Sequence, residues 1–105
     1  MVQADLDDHS RDILGCIEDG LLKYGPAVFQ VITYEFQREY KAEGRAMVTR
    51  PDLLVKIVHK IFGDSAASIE ASMVRELNVT FDLSKTHKSL ESAIAEIKRK
   101  NLMNE

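Results

Sequence analysis

The sequence predicts an all-α fold, a compact bundle of about five helices, on three observations. Apolar residues recur at helical spacing nearly from end to end. The breaks in that spacing coincide with Gly, Pro and residues suited to capping helices. With 105 residues, 45% of them hydrophobic and 30% charged, the chain has the length and balance of one globular domain, 1–105. No internal repeat or low-complexity stretch interrupts it.

The first predicted helix is built around Ile13, Leu14, Ile17, Leu21 and Leu22. It starts at the Asp7–Ser10 cluster, where Asp or Ser can cap and acids suit the helix dipole. It stops at Gly25, which can take a left-handed turn. Pro26 is placed in the first turn of the second helix, where a missing N–H costs nothing. That helix runs to about Glu43, with Gly44 as its stop, and Gly44 to Thr49 form a short connection.

Thr49 or Arg50 caps the third helix, Pro51 sits in its first turn and Asp52 offsets the dipole. Its apolar run, Leu53, Leu54, Ile57, Val58, Ile61 and Phe62, closes at Gly63. Asp64 or Ser65 starts the fourth, with Ala66, Ile69, Met73, Leu77 and, at its end, Phe81 as its stripe. Two β-branched residues in Asn78-Val79-Thr80-Phe81 weaken helix propensity, so a fray or turn is expected between Asn78 and Leu83. Ser84 caps the fifth helix, whose Leu90, Ile94 and Ile97 face inward until it frays near Asn101.

Two helices face more than one partner. On the second, Val28, Phe29, Ile32, Phe36 and Tyr40 fall within about 120° of arc. Ala27, Val31, Tyr34 and the stem of Arg38 form another stripe, with Gln30, Thr33, Gln37 and Lys41 between the two. Such a helix is either central in its own bundle or at an interface. The third helix is apolar over about 200° and leaves Asp52, Lys56, His59 and Lys60 as its polar face. The second and third helices are therefore expected to be the most buried.

Charge and cysteine content point to a compartment rather than an activity. Net charge is −3, unevenly spread: Asp5, Asp7, Asp8, Asp12, Glu18 and Asp19 gather near one end, and Lys85, Lys88, Lys98, Arg99 and Lys100 near the other. The two ends are either independently solvated or complementary, within one chain or between two. Cys16 is the sole cysteine, so no internal disulfide can form, which fits a reducing compartment. The acidic opening lacks the basic start and apolar run of a secretory signal, and no apolar run approaches the roughly 20 residues that span a bilayer. The expectation is a cytoplasmic chain with no membrane contact.

No residue set carries a catalytic, metal or cofactor signature. His9 and Cys16 would lie about 10 Å apart along a helix, too far to share one Zn²⁺. Cys16 sits beside the first helix's core stripe, as a small hydrophobe would. The five glycines are isolated and form no phosphate loop. Asn78-Val79-Thr80 is formally a glycosylation triplet but is idle in a cytosolic chain. Two polar residues break a core stripe: Glu70, on the apolar face of the fourth helix, and His87, on the same face of the fifth as Leu90 and Ile94. Each needs a partner if buried. Each is read as a stripe-edge residue reaching water or an internal ion pair, or else as a ligand contact or pH-sensitive hinge.

Residues Val58 to Met73 can be laid on a helix-turn-helix pattern, with Gly63 at the turn. His59 stands where that pattern wants a small residue. The reading helix would hold Arg75 against Glu70 and Glu76, little positive charge for phosphates, so nucleic acid is not expected as the partner.

Three joints carry a resemblance over about half the chain: Lys23-Tyr24-Gly25, Arg50-Pro51-Asp52-Leu53-Leu54, and Ile61-Phe62-Gly63-Asp64-Ser65-Ala66 leading to Ile69-Glu70 and Arg75-Glu76-Leu77. Together they resemble the small archaeal helical domains grouped as Nitrosopumilus-type output domains. The resemblance implies an archaeal cytoplasmic protein with a signalling-output role, and it transfers no active-site residue. The functional expectation is a non-catalytic interaction or output module with no cofactor, working as a homodimer through Ala27, Val31, Tyr34 and Arg38. The alternative is a helix-turn-helix-like regulator using residues 58–73. A third reading places a small ligand or substrate in a pocket near Glu70 and His87.

Overall fold

The computed structural model describes residues 8–83 and 87–103. Five helices of twelve or more residues dominate them: α1 (Asp8–Leu22), α2 (Val28–Tyr40), α4 (Pro51–Phe62), α5 (Ala66–Phe81) and α6 (Leu90–Met103). A one-turn helix, α3 (Ala46–Thr49), precedes α4, and a 3₁₀ turn (Gly63–Ser65) joins α4 to α5. No strand occurs among the described residues. The all-helical class is as the periodicity requires.

The joints follow local chemistry. After α1, Tyr24 and Gly25 donate to the carbonyls of Leu21 and Leu22, and Gly25 adopts φ +122°, a conformation that side chains resist. Pro26 lies in the turn ahead of α2 and not in its first turn; Val28 N–H on the Gly25 carbonyl closes that turn at 3.2 Å. α2 stops at Tyr40, short of Glu43. Lys41 turns left-handed at φ 54° and its N–H takes the Gln37 carbonyl, which ends the helix before Gly44 is reached.

The connection from Gly44 to Thr49 holds α3, whose Met47 and Val48 are wholly buried. α4 opens as expected, with Arg50 as N-cap and Pro51 in the first turn, and closes at Gly63 with φ 55°. Asp52 also receives a two-pronged contact from Arg50, at 2.9 and 3.1 Å. α5 runs to Phe81 and breaks at Asp82, left-handed at φ 49° and inside the expected window. α6 begins at Leu90, with Ser89 as its cap: the Ser89 hydroxyl accepts the Ser92 N–H at 3.1 Å. Ser84, the expected cap, is outside the described residues, as are Asp5, Asp7 and Lys85.

The most buried helix is α5, and this corrects the expectation for the second and third helices. Ala66, Ile69, Ser72, Met73, Val74 and Leu77 of α5 are all buried, and the helix packs against α1, α4 and α6. α2 buries only Ile32 and Phe36. α4 buries Leu54, Ile57 and Val58, while Leu53, Val55, Ile61 and Phe62 are only half-covered. Width of an apolar face is the wrong measure here. Small residues let backbones meet, and they lower the apolar content of the helix that has them. A Cβ on Gly20 would stand 2.8 Å from Met73 Cα, so α1 and α5 touch backbone to backbone at that point. The Ser72 hydroxyl donates to the Gly20 carbonyl at 3.0 Å in the same contact. Around it, Ile13, Ile17 and Leu21 of α1 lose essentially all exposure.

Candidate functional site

α2 lies at the edge of the bundle, on α4 and α1, and that placement separates its two stripes. Ile32 and Phe36 turn inward, Val28, Phe29 and Tyr40 flank them, and the Tyr40 ring meets Phe36 edge-on at 5.6 Å. Ala27, Val31, Tyr34 and Arg38 stand on the outer side, all exposed, with Tyr34 at 64% and Val31 at 43%. Arg38 is held at its end of the stripe by Glu35, at 2.7 Å. Around the other edge, Glu39 takes Lys60 of α4 at 2.8 Å, and that ammonium holds the carboxyl below its ordinary range. The outer stripe is thus an apolar strip with a bordering ion pair.

Glu70 and His87 take positions different from those expected. Glu70 is half-buried on α5 and spends a carboxylate oxygen on the Leu90 N–H at 2.9 Å. That backbone group opens α6 and has no partner within its own helix, so Glu70 caps a helix other than its own. His87 is not on the face of α6 at all, because α6 starts three residues later. Its ring lies along the helix's first turns, Nδ1 on Ser92 Oγ at 2.9 Å and Nε2 on Glu96 Oε1 at 2.5 Å. Glu96 is 3% exposed, with Lys100 at 3.9 Å from its other oxygen. His87 thus has an internal partner in Glu96, whereas Glu70 is satisfied by a backbone N–H and not by an ion pair. Glu96 was overlooked in the sequence because it sits at the margin of a stripe, one turn before Lys100. Recognising Ser89 as the cap would have placed His87 outside the helix.

Cys16 is 5% exposed within the α1 core stripe. Burial pushes its thiol above the ordinary range, more than the hydrogen bond with Thr80 lowers it. A thiol so held stays protonated at neutral pH and is a poor nucleophile.

The helix-turn-helix segment has its turn at Gly63; of the three positions the pattern wants buried, Val58 and Ile69 are buried and Phe62 is only half-covered. Its second helix would be α5, the one packed on three sides. The exposed positions of α5 are Ala67, Ser68, Ala71, Arg75, Val79 and Thr80, with a single base among them. This arrangement argues against α5 entering a DNA groove. Among the described residues no helix is long and apolar enough to cross a membrane. Compared with protein-family models, curated proteins and solved structures, the chain matches none.

Proposed function

We propose that the chain is a non-catalytic interaction or output module of the cytoplasm, and that it acts through the outer stripe of α2, first of all on a second copy of itself. The observation that carries this reading is the exposure of Val31 and Tyr34 on a helix whose other side turns Ile32 and Phe36 into the core. Large aromatic and branched side chains left outside a finished core mark contact surfaces when they adjoin one another. Val31 and Tyr34 are one helical turn apart, so two α2 helices crossing there about a two-fold axis set each Tyr34 against the other's Val31. Arg38 and Glu35 would then form part of the polar rim.

Val31→Glu tests the proposal. The wild-type chain should sediment as a dimer at micromolar concentration and the variant as a monomer with an unchanged helical circular dichroism spectrum. A wild-type chain that sediments as a monomer throughout that range overturns self-association.

A further inference from the structure

Glu96 is 3% exposed on a helix whose other buried positions are Leu90, Ala93, Ile94 and Ile97. Replacing a buried pair such as His87 and Glu96 by apolar residues is often neutral or stabilising, so cohesion alone does not account for it. What the pair does is aim the ring. A carboxylate only accepts hydrogen bonds, so the ring hydrogen lies on Nε2, at 2.5 Å from Glu96 Oε1. Nδ1 of the neutral ring then carries a lone pair, and Ser92 Oγ stands 2.9 Å from it. The Ser92 hydroxyl has one proton and two acceptors in reach, that nitrogen and the Ser89 carbonyl at 3.2 Å. The nitrogen is the nearer.

Ser92, His87 and Glu96 therefore follow one another as nucleophile, base and orienting carboxylate. Exposure is graded along the same line: Ser92 is exposed, the His87 ring is mostly covered and the carboxylate is buried. The first turn that presents the hydroxyl is pinned by two caps, Ser89 on the Ser92 N–H and Glu70 on the Leu90 N–H. The Glu91 N–H between them has no acceptor among the described residues. It is left for an oxygen that gains charge beside Ser92. Ser65 and Ser68 are exposed on the same chain, and among the described residues neither hydroxyl meets an imidazole.

We propose that Ser92 is a modification site that accepts an acyl group from a reactive ester, with His87 as the base and Glu96 as the positioning residue. As the Ser92 oxygen bonds to the acyl carbon, its proton passes to His87 Nδ1. The bond from that carbon to the leaving oxygen then breaks, and Nδ1 returns the proton to the leaving oxygen. The products are an ester on Ser92, a free alcohol and the ring as it began. This is acceptance of one group and not turnover, and it does not depend on the α2 stripe.

Treatment of the full chain with p-nitrophenyl acetate, followed by peptide mapping in the mass spectrometer, tests this. Hydroxylamine distinguishes serine esters, which it cleaves, from lysine amides. Ser92 should be acetylated on the order of a hundredfold faster than Ser65 or Ser68, the gain that a positioned base supplies. Its rate should fall in D₂O, because a proton moves in the slow step. Long-range ¹H–¹⁵N spectra of the neutral His87 ring should show the hydrogen on Nε2 and Nδ1 bare. His87→Gln should remove both the rate advantage and the solvent effect while the helical circular dichroism spectrum is unchanged. Glu96→Gln keeps an acceptor but loses the charge, and should slow Ser92 about tenfold without altering Ser65 and Ser68. Val31→Glu should change none of these rates. The proposal is overturned if Ser92 reacts less than about tenfold faster than Ser65 and Ser68, or if the neutral ring carries its hydrogen on Nδ1. Both are read on the wild-type chain. It is also overturned if His87→Gln leaves the rate at Ser92 intact.

Discussion

α5 meets α1 and α6 across two seams built on different physics. Against α1 the contact is dry and close: Gly20 lies on the Met73 backbone, Ser72 bonds to the Gly20 carbonyl, and Ile13, Ile17 and Leu21 fill the remainder. Against α6 the contact is polar at one end. Glu70 caps Leu90, His87 holds Glu96, and a groove lined by Ala71, Val74 and Arg75 opens beside them. The first seam tolerates no added volume. The second has side chains that can be exchanged one at a time. Rigidity and adaptability are thus divided between the two sides of one helix.

The difference can be broken at its stiffest point first. Gly20→Val puts a branched side chain against backbone atoms and should destabilise the fold by about 3 kcal/mol in urea titrations. Gly20→Ala is the sharper variant: helix propensity favours Ala by about 1 kcal/mol, yet the variant should still be less stable. A more stable Gly20→Ala protein would show that the seam can open without penalty.

On the polar side, effects should be smaller and coupled. Glu96→Leu leaves His87 without its carboxylate partner and should cost about 2 kcal/mol. His87→Leu added to it should recover part of that loss, because the polar group left behind is removed as well. Strict additivity in the double variant would mean that the pair does not act as a unit. Glu70→Ala removes a cap and should cost about 1 kcal/mol. Hydrogen exchange should locate that loss in the first turn of α6 and leave α1 protected. The smallest effect belongs to Val31→Glu, whose exposed site should move monomer stability by less than about 0.5 kcal/mol. A larger loss would mean that the outer stripe of α2 is part of the core.

What could be read in advance was local. Arg50-Pro51-Asp52 announces its helix start through the fixed φ of Pro51 and the acid at the dipole, and Gly63 announces the stop. The break after Phe81 falls in the window marked by β-branched Val79 and Thr80, yet both stay helical and the turn is made at Asp82. The α3 turn was illegible because four residues are too few to display a period, although Met47 and Val48 are among the best-buried residues. The start of α6 was misplaced because Ser84 and Ser89 are equally good caps by type, and only the tertiary partner Glu70 distinguishes the site used. The outer stripe of α2 was visible as a second apolar arc. Its exposure depended on which arc the rest of the bundle covered, a fact held by other helices. The rank of α5 was hidden for a physical reason: close packing favours Gly, Ala and Ser, which read as weak apolar signal. A glycine in mid-helix, which costs about 1 kcal/mol relative to Ala, was the clue available at Gly20.

The Ser72–Gly20 bond spans 52 positions, and that separation sets a timetable for the chain. Synthesis delivers α1 first, but its main packing partner, α5, arrives only after α2, α3 and α4. Until then α1 has only its smaller contacts, with α2 and α3, to cover its apolar stripe. Closing so long a loop is slow compared with forming any one helix. The nascent chain is therefore most open to chaperones, proteases and self-adhesion in the interval before residue 77 has left the ribosome, and slower translation between α1 and α5 would lengthen that exposure.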